Sequence, residues 1–107
     1  MFVHHVYFWL KDPGSSEDLL LLVRGLEKLS KVDGIRMFHI GIPAATTREV
    51  IDSSYSVSWL TVFDDPKDQD AYQVDPIHLA FVADCSSLWS RVLVYDSMDA
   101  SAPGKKQ

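Results

Sequence analysis

Four histidines, four tyrosines and one cysteine are the side chains best suited to chemistry in this 107-residue chain. The most suggestive spacing lies in "AYQVDPIHLAF", residues 71–81, where Tyr72, Asp75 and His78 recur at every third position and run into an apolar helical pattern. A histidine is the natural general base near neutral pH. A phenolic O–H can steady a developing enolate oxygen or polarise a carbonyl. Held around a dry pocket, the two would support an aldol-type cyclisation without a metal. Asp75 lies one helical turn before His78, where its carboxylate can accept the imidazole N–H and fix the tautomer. The bland alternative gives the same residues structural work: Asp75 caps the helix, and His78 bonds a loop carbonyl.

The other candidates carry weaker signals. His4 and His5 are neighbours in an extended apolar segment, so they point to opposite faces of it. His39 shares no motif with them and reads as a core or rim residue. The four histidines match no structural-zinc spacing and there is no second cysteine, so no metal is expected. Cys85 follows helical spacing with Phe81 and Leu88 and reads as a small buried hydrophobe. No Ser-His-Asp order, phosphate-cradling loop or dinucleotide fingerprint is present, and no cofactor is expected.

These groups must be positioned by a small number of elements. "FVHHVYFWL" (2–10) is β-branched and aromatic, the composition of a strand. Pro13-Gly14 then turns the chain, and Ser15 or Ser16 caps a helix whose apolar stripe runs from Leu19 to Leu29. "KVDG" ends it, with Gly34 free to adopt a left-handed conformation. Strands follow at 35–43 and 55–65. "PKDQDAYQV" suits one or two helical turns, and Asp75-Pro76 opens a new helix carrying Ile77, Phe81, Cys85, Leu88 and, more loosely, Trp89. A last strand covers 91–97. The order strand, helix, strand, strand, helix, strand predicts an α+β, ferredoxin-like βαββαβ fold, a four-stranded antiparallel sheet with its helices on one face. Residues 1–98 form one domain in this reading, and 99–107 a flexible tail.

Bulk properties narrow the function. An apolar fraction of 47% is too high for disorder, and a net charge of −5 with scattered basic residues argues against nucleic acid. No apolar run reaches the length of a membrane span, and the opening segment lacks a basic leader and cleavage site. A soluble, cytoplasmic domain is expected. One property is unusual. The sheet face away from the helices should be polar if it meets water, yet each strand except the third offers apolar residues on both faces. A second copy packed sheet to sheet would cover the excess, so a homodimer is expected.

The segments "VHHVYFWLK", "IRMFHIGIPA", "REVIDSSYSVSWLTVFDD" and "YQVDPIHLAF" followed by "VLVYD", in this order over residues 2–97, resemble the stress-responsive α/β-barrel (Dabb) family. The resemblance implies a homodimer in which two sheets face each other as a barrel. One branch of that family is a plant polyketide cyclase working without a cofactor in a pocket between sheet and helices. By resemblance, its functional positions fall on His5, Tyr72 and His78, while two other polar positions become Leu26 and Val57, and the first residue of a common His-Pro-x-His motif becomes Asp75. Of the aromatic residues, which are core by default, Trp59 and Phe81 are the ones assigned to line the pocket for a small apolar or aromatic ligand. The alternatives are a non-enzymatic stress-responsive or accessory protein and a cofactor-free monooxygenase, since other dimeric α/β-barrel families oxidise aromatics in this way.

Overall fold

The computed structural model describes residues 1–104, and the last three residues of the expected tail, 105–107, lie outside that range. Strand β1 (Phe2–Leu10) leads into helix α1 (Ser16–Leu29), then β2 (Met37–Gly41), β3 (Val57–Phe63), helices α2 (Pro66–Val74) and α3 (Pro76–Cys85), a short 3-10 turn (Ser86–Leu88) and β4 (Trp89–Met98). The strands form one antiparallel sheet in the order β2-β3-β1-β4. This is the ferredoxin-like arrangement expected from the sequence.

Local chemistry explains most boundaries. Ser15 Oγ accepts the Asp18 N–H at 3.1 Å, which makes Ser15 the cap of α1, and Glu17 and Asp18 lie in the first turn, where the helix dipole favours negative charge. Gly34 turns the chain into the sheet at φ +94°, a left-handed conformation that costs glycine nothing. The polar segment at 66–74 is a full nine-residue helix rather than one or two turns. It starts as α3 does, with an aspartate cap before a proline: Asp65 Oδ1 accepts the Asp68 N–H, and Asp75 Oδ1 the Ile77 N–H. Helix α3 stops at Cys85, short of the apolar residues Leu88 and Trp89 that extended its expected pattern. Trp89 instead opens β4 and packs on Phe8 and Phe81, with ring centroids 4.8 Å and 5.8 Å away. Strands β2 and β3 are each shorter than expected, by two residues at either end.

The core lies between the sheet and the helices, built on Leu22, Leu26 and Leu29 of α1, Val6, Phe8 and Leu10 of β1, and Val57, Trp59 and Phe63 of β3. Helices α1 and α3 approach closely at Gly25, where an added Cβ would lie 2.6 Å from Cys85 Sγ. On the other side of the sheet, Val3, His5, Tyr7 and Trp9 of β1 are only half-buried, and Met37 of β2 and Tyr95 of β4 are exposed. His5 and His39 flank Leu60 on this open face. His39 is therefore an exposed residue of the open sheet face and not a core residue.

Candidate functional site

Strand register decides which histidine meets Tyr72. Residues of β1 that share a face with Val6, Phe8 and Leu10 point at the helices, and His4 is one of them. It is 6% exposed, and its ring stands edge-on to Tyr72 with centroids 5.8 Å apart. His5 points the opposite way, stacked on Tyr7 at 4.4 Å on the open face. The placement of His5 in the helix-side pocket is thus corrected to His4, one residue earlier. The reason is the two-residue period of a strand: a shift of one exchanges the faces.

Four polar side chains come together on the helix side. Tyr72 is 1% exposed, and its oxygen accepts the Trp59 indole N–H at 3.0 Å. The His78 ring lies 4.8 Å from the Tyr72 ring. His4 Nδ1 and Asp96 Oδ1 are 2.6 Å apart, across the β1–β4 pair in which these two residues are direct partners. Asp96 and His4 are the residues of this cluster that the sequence reading did not assign. Asp75, by contrast, spends its carboxylate on the Ile77 N–H, and His78 Nδ1 is buried without a hydrogen-bond partner. The expected Asp75–His78 pair is not formed.

Electrostatics assign these groups different roles. Burial pushes the Tyr72 phenol up to about 12, and the Trp59 N–H offsets only part of that, so the phenol stays protonated at neutral pH. With its oxygen already accepting from Trp59, its own O–H is the group left to donate. Burial lowers the His78 imidazole below its ordinary value, and the neighbouring His4 adds to this; a backbone group of Gln73 and the Asp75 carboxylate act weakly in the opposite sense. His78 is accordingly neutral at pH 7, with a free lone pair or N–H at a buried nitrogen.

A surface on which a ligand could lie adjoins this cluster. Val92 and Val94 pair with Phe8 and Val6, so they belong to the helix-side face, yet they are 45% and 44% exposed. The helices cover β1 and β3 but leave this part of β4 open. The uncovered valine strip runs from Trp89 at one end to the Asp96–His4 pair at the other. His78 and Val82 lie one turn apart on α3, and Val82 is 39% exposed. Trp59 takes the role of a filled wall behind Tyr72. Phe81 lies deeper, wedged between Phe8 and Trp89, and borders the α1–α3 groove and not the valine strip. Among the described residues no helix is long and apolar enough to cross a membrane.

Comparison with known proteins agrees with this architecture. No curated protein matches the sequence. Among solved structures, a Dabb family protein with a ferredoxin-like fold from Mesorhizobium loti is 25% identical, with a TM-score of 0.76, over 94% of this chain and 97% of that one. A hydroxynitrile lyase from Passiflora edulis superposes with a TM-score of 0.78 at 13% identity, covering 95% of this chain and 96% of its own. A dimeric ferredoxin-like protein from Thermobifida fusca gives 0.72 at 16% identity, over 90% and 88%. The model of the stress-responsive A/B barrel domain, Dabb, matches residues 2–99. With the match spanning nearly all of the sequence and the same sheet order and helix layer in place, the chain belongs to the stress-responsive α/β-barrel (Dabb) domain family.

Proposed function

We propose that the chain, as a homodimer of domains spanning residues 1–98, binds a small apolar or aromatic carbonyl compound on the valine strip of β4 and acts on it by cofactor-free acid/base chemistry. The observation that carries the proposal is the Trp59–Tyr72 hydrogen bond beside a neutral His78. It sets one phenolic O–H donor beside one imidazole base, with ring centroids 4.8 Å apart. In an aldol-type step His78 takes a proton from the carbon next to a carbonyl, and Tyr72 donates to the oxygen on which negative charge builds. His4, oriented by Asp96, is the second base or acid, in the way a carboxylate fixes an imidazole elsewhere. Making or breaking a cyanohydrin needs the same two functions, and the Passiflora hydroxynitrile lyase on this fold lends support to the reaction class.

The homodimer draws on the open face of the sheet and on relatives of the fold that are dimeric. A cytoplasmic location fits the lone, buried Cys85. The test is turnover of mandelonitrile, followed as benzaldehyde release, together with thermal stabilisation by a panel of aromatic ketones. The proposal expects at least one response, lost in both His78→Ala and Tyr72→Phe. A silent wild-type protein, or a response that survives His78→Ala, removes it.

A second reading has its own observation. Trp59 and Tyr72 are each 1% exposed, which suits a hydrogen bond that only holds the core together. In that case the chain is a non-enzymatic accessory dimer, and His78→Ala changes stability by about 1 kcal/mol and nothing else.

A further inference from the structure

We propose that the groove between α1 and α3 is a second binding site, for a single-chain amphiphile with an anionic head such as a fatty carboxylate. The groove has a volume of about 930 Å³ and borders none of His4, Tyr72 or His78. It opens on the outer side of the helix layer, away from the open sheet face, so a sheet-to-sheet dimer leaves it accessible.

Its floor is apolar. Leu21 from α1 and Ile77 from α3 both line it, and both keep more than a third of their surface exposed. At the bottom of the seam Gly25 lets the α1 backbone pack directly on the Phe81 ring and the Cys85 sulfur, so the base of the groove is apolar. Such a surface is costly to leave in water, and an alkyl chain laid along it recovers about 25 cal/mol per Å² of apolar area.

The rim supplies the choice of head group. Arg24 and Lys28, four residues apart and so in one row along α1, line the groove together with Lys31 just past the end of the helix. Among the described residues, none of the three makes an ion pair within 4.0 Å: the pairs are Met1–Asp99, His4–Asp96 and Arg36–Asp64. Lys28 and Lys31 sit where the helix dipole favours cations, but Arg24 lies mid-helix and has no such reason. Glu27 and Asp84 also reach the rim, leaving it one positive charge in excess on a chain whose net charge is −5. A cationic row above an apolar furrow matches a carboxylate head above an alkyl chain, and the snorkelling stems of Lys28 and Arg24 can follow the head.

Calorimetric titration with dodecanoate, dodecanol and dodecyltrimethylammonium, all below their micellar range, tests the proposal. The expected result is saturable binding of one dodecanoate per chain, with the ammonium at least tenfold weaker. The double variant Arg24→Glu with Lys28→Glu, both at exposed positions, weakens dodecanoate at least tenfold with unchanged circular dichroism, and Ala80→Trp blocks the furrow. His78→Ala leaves the binding as it was. Equal affinity for all three heads, an unchanged double variant, or loss on His78→Ala overturns the proposal, the last by placing the ligand in the valine-strip site. Binding seen only with phosphatidylglycerol vesicles, and never with monomeric dodecanoate, also overturns it in favour of membrane docking.

Discussion

Tyr72→Phe isolates the hydrogen bond on which the site depends. The substitution keeps the ring, and with it the packing against Phe63, His4 and His78, whose centroids lie 5.3, 5.8 and 4.8 Å away. What it removes is the oxygen 3.0 Å from the Trp59 indole nitrogen. Trp59 is 1% exposed, so its N–H has no water to turn to. A buried donor left without a partner costs about 1–3 kcal/mol, and about 2 kcal/mol is the expected loss here. For a domain of this size that corresponds to a fall in Tm of roughly 10 °C, read by thermal or urea unfolding of the wild type and variant side by side. The decisive control is the same substitution in a Trp59→Phe background. There no donor is stranded, and Tyr72→Phe becomes nearly neutral, a coupling of about 2 kcal/mol between the two positions. Equal losses in both backgrounds, or no loss in the native one, would refute the reasoning that this bond holds the phenol in place.

Three further outcomes follow from the geometry. Leu60→Glu puts a carboxylate at the centre of the open sheet face between His5 and His39, and sedimentation should then find single chains; a persistent dimer would place the interface elsewhere. His5 is held below its ordinary value chiefly by burial, with His39 and His4 adding repulsion, so its neutral form belongs to the folded state. A depressed folded value means that this contribution is intact above about pH 6.5 and is lost as pH falls through the folded value. Stability to urea unfolding should therefore be lower at pH 5.5 than at pH 7.5, and His5→Phe should flatten that dependence; a wild-type stability that does not move would contradict it. Gly25→Ala brings a methyl against Cys85 Sγ and should cost about 1 kcal/mol by unfolding, whereas in a Cys85→Ala background the gain in helix propensity should make it stabilising.

Much of this architecture is legible in the sequence, for reasons that are local. β-branched and aromatic composition marks β1, period 3.6 marks α1, and Ser15 and Asp75 announce their helices because each cap is a single side chain acting on a backbone N–H a few residues away. The helix at 66–74 had the same announcement in Asp65-Pro66, but its stripe is reduced to Gln69 and Tyr72, too few buried residues to show a period. His4 was readable in principle, since it alternates with Val6, Phe8 and Leu10; the family resemblance pointed instead to its neighbour, on the wrong face of the strand. Asp96 was not readable, because its pairing with His4 is fixed by the register of strands 92 positions apart. The end of α3 was also set from outside, by Phe8 and Phe81 drawing Trp89 into the sheet. The open valine strip has the composition of a core strand, and only the placement of the helices leaves it uncovered.

The claim that function resides on the helix side, with His4 and not His5, is tested most directly by the imidazole NMR signals of the four histidines during titration with an aromatic ketone that stabilises the protein. The expected result is that His4 and His78 shift together and saturate with the ligand, while His5 and His39 stay in place. Shifts confined to His5 and His39 would move the ligand to the open sheet face and contradict the account.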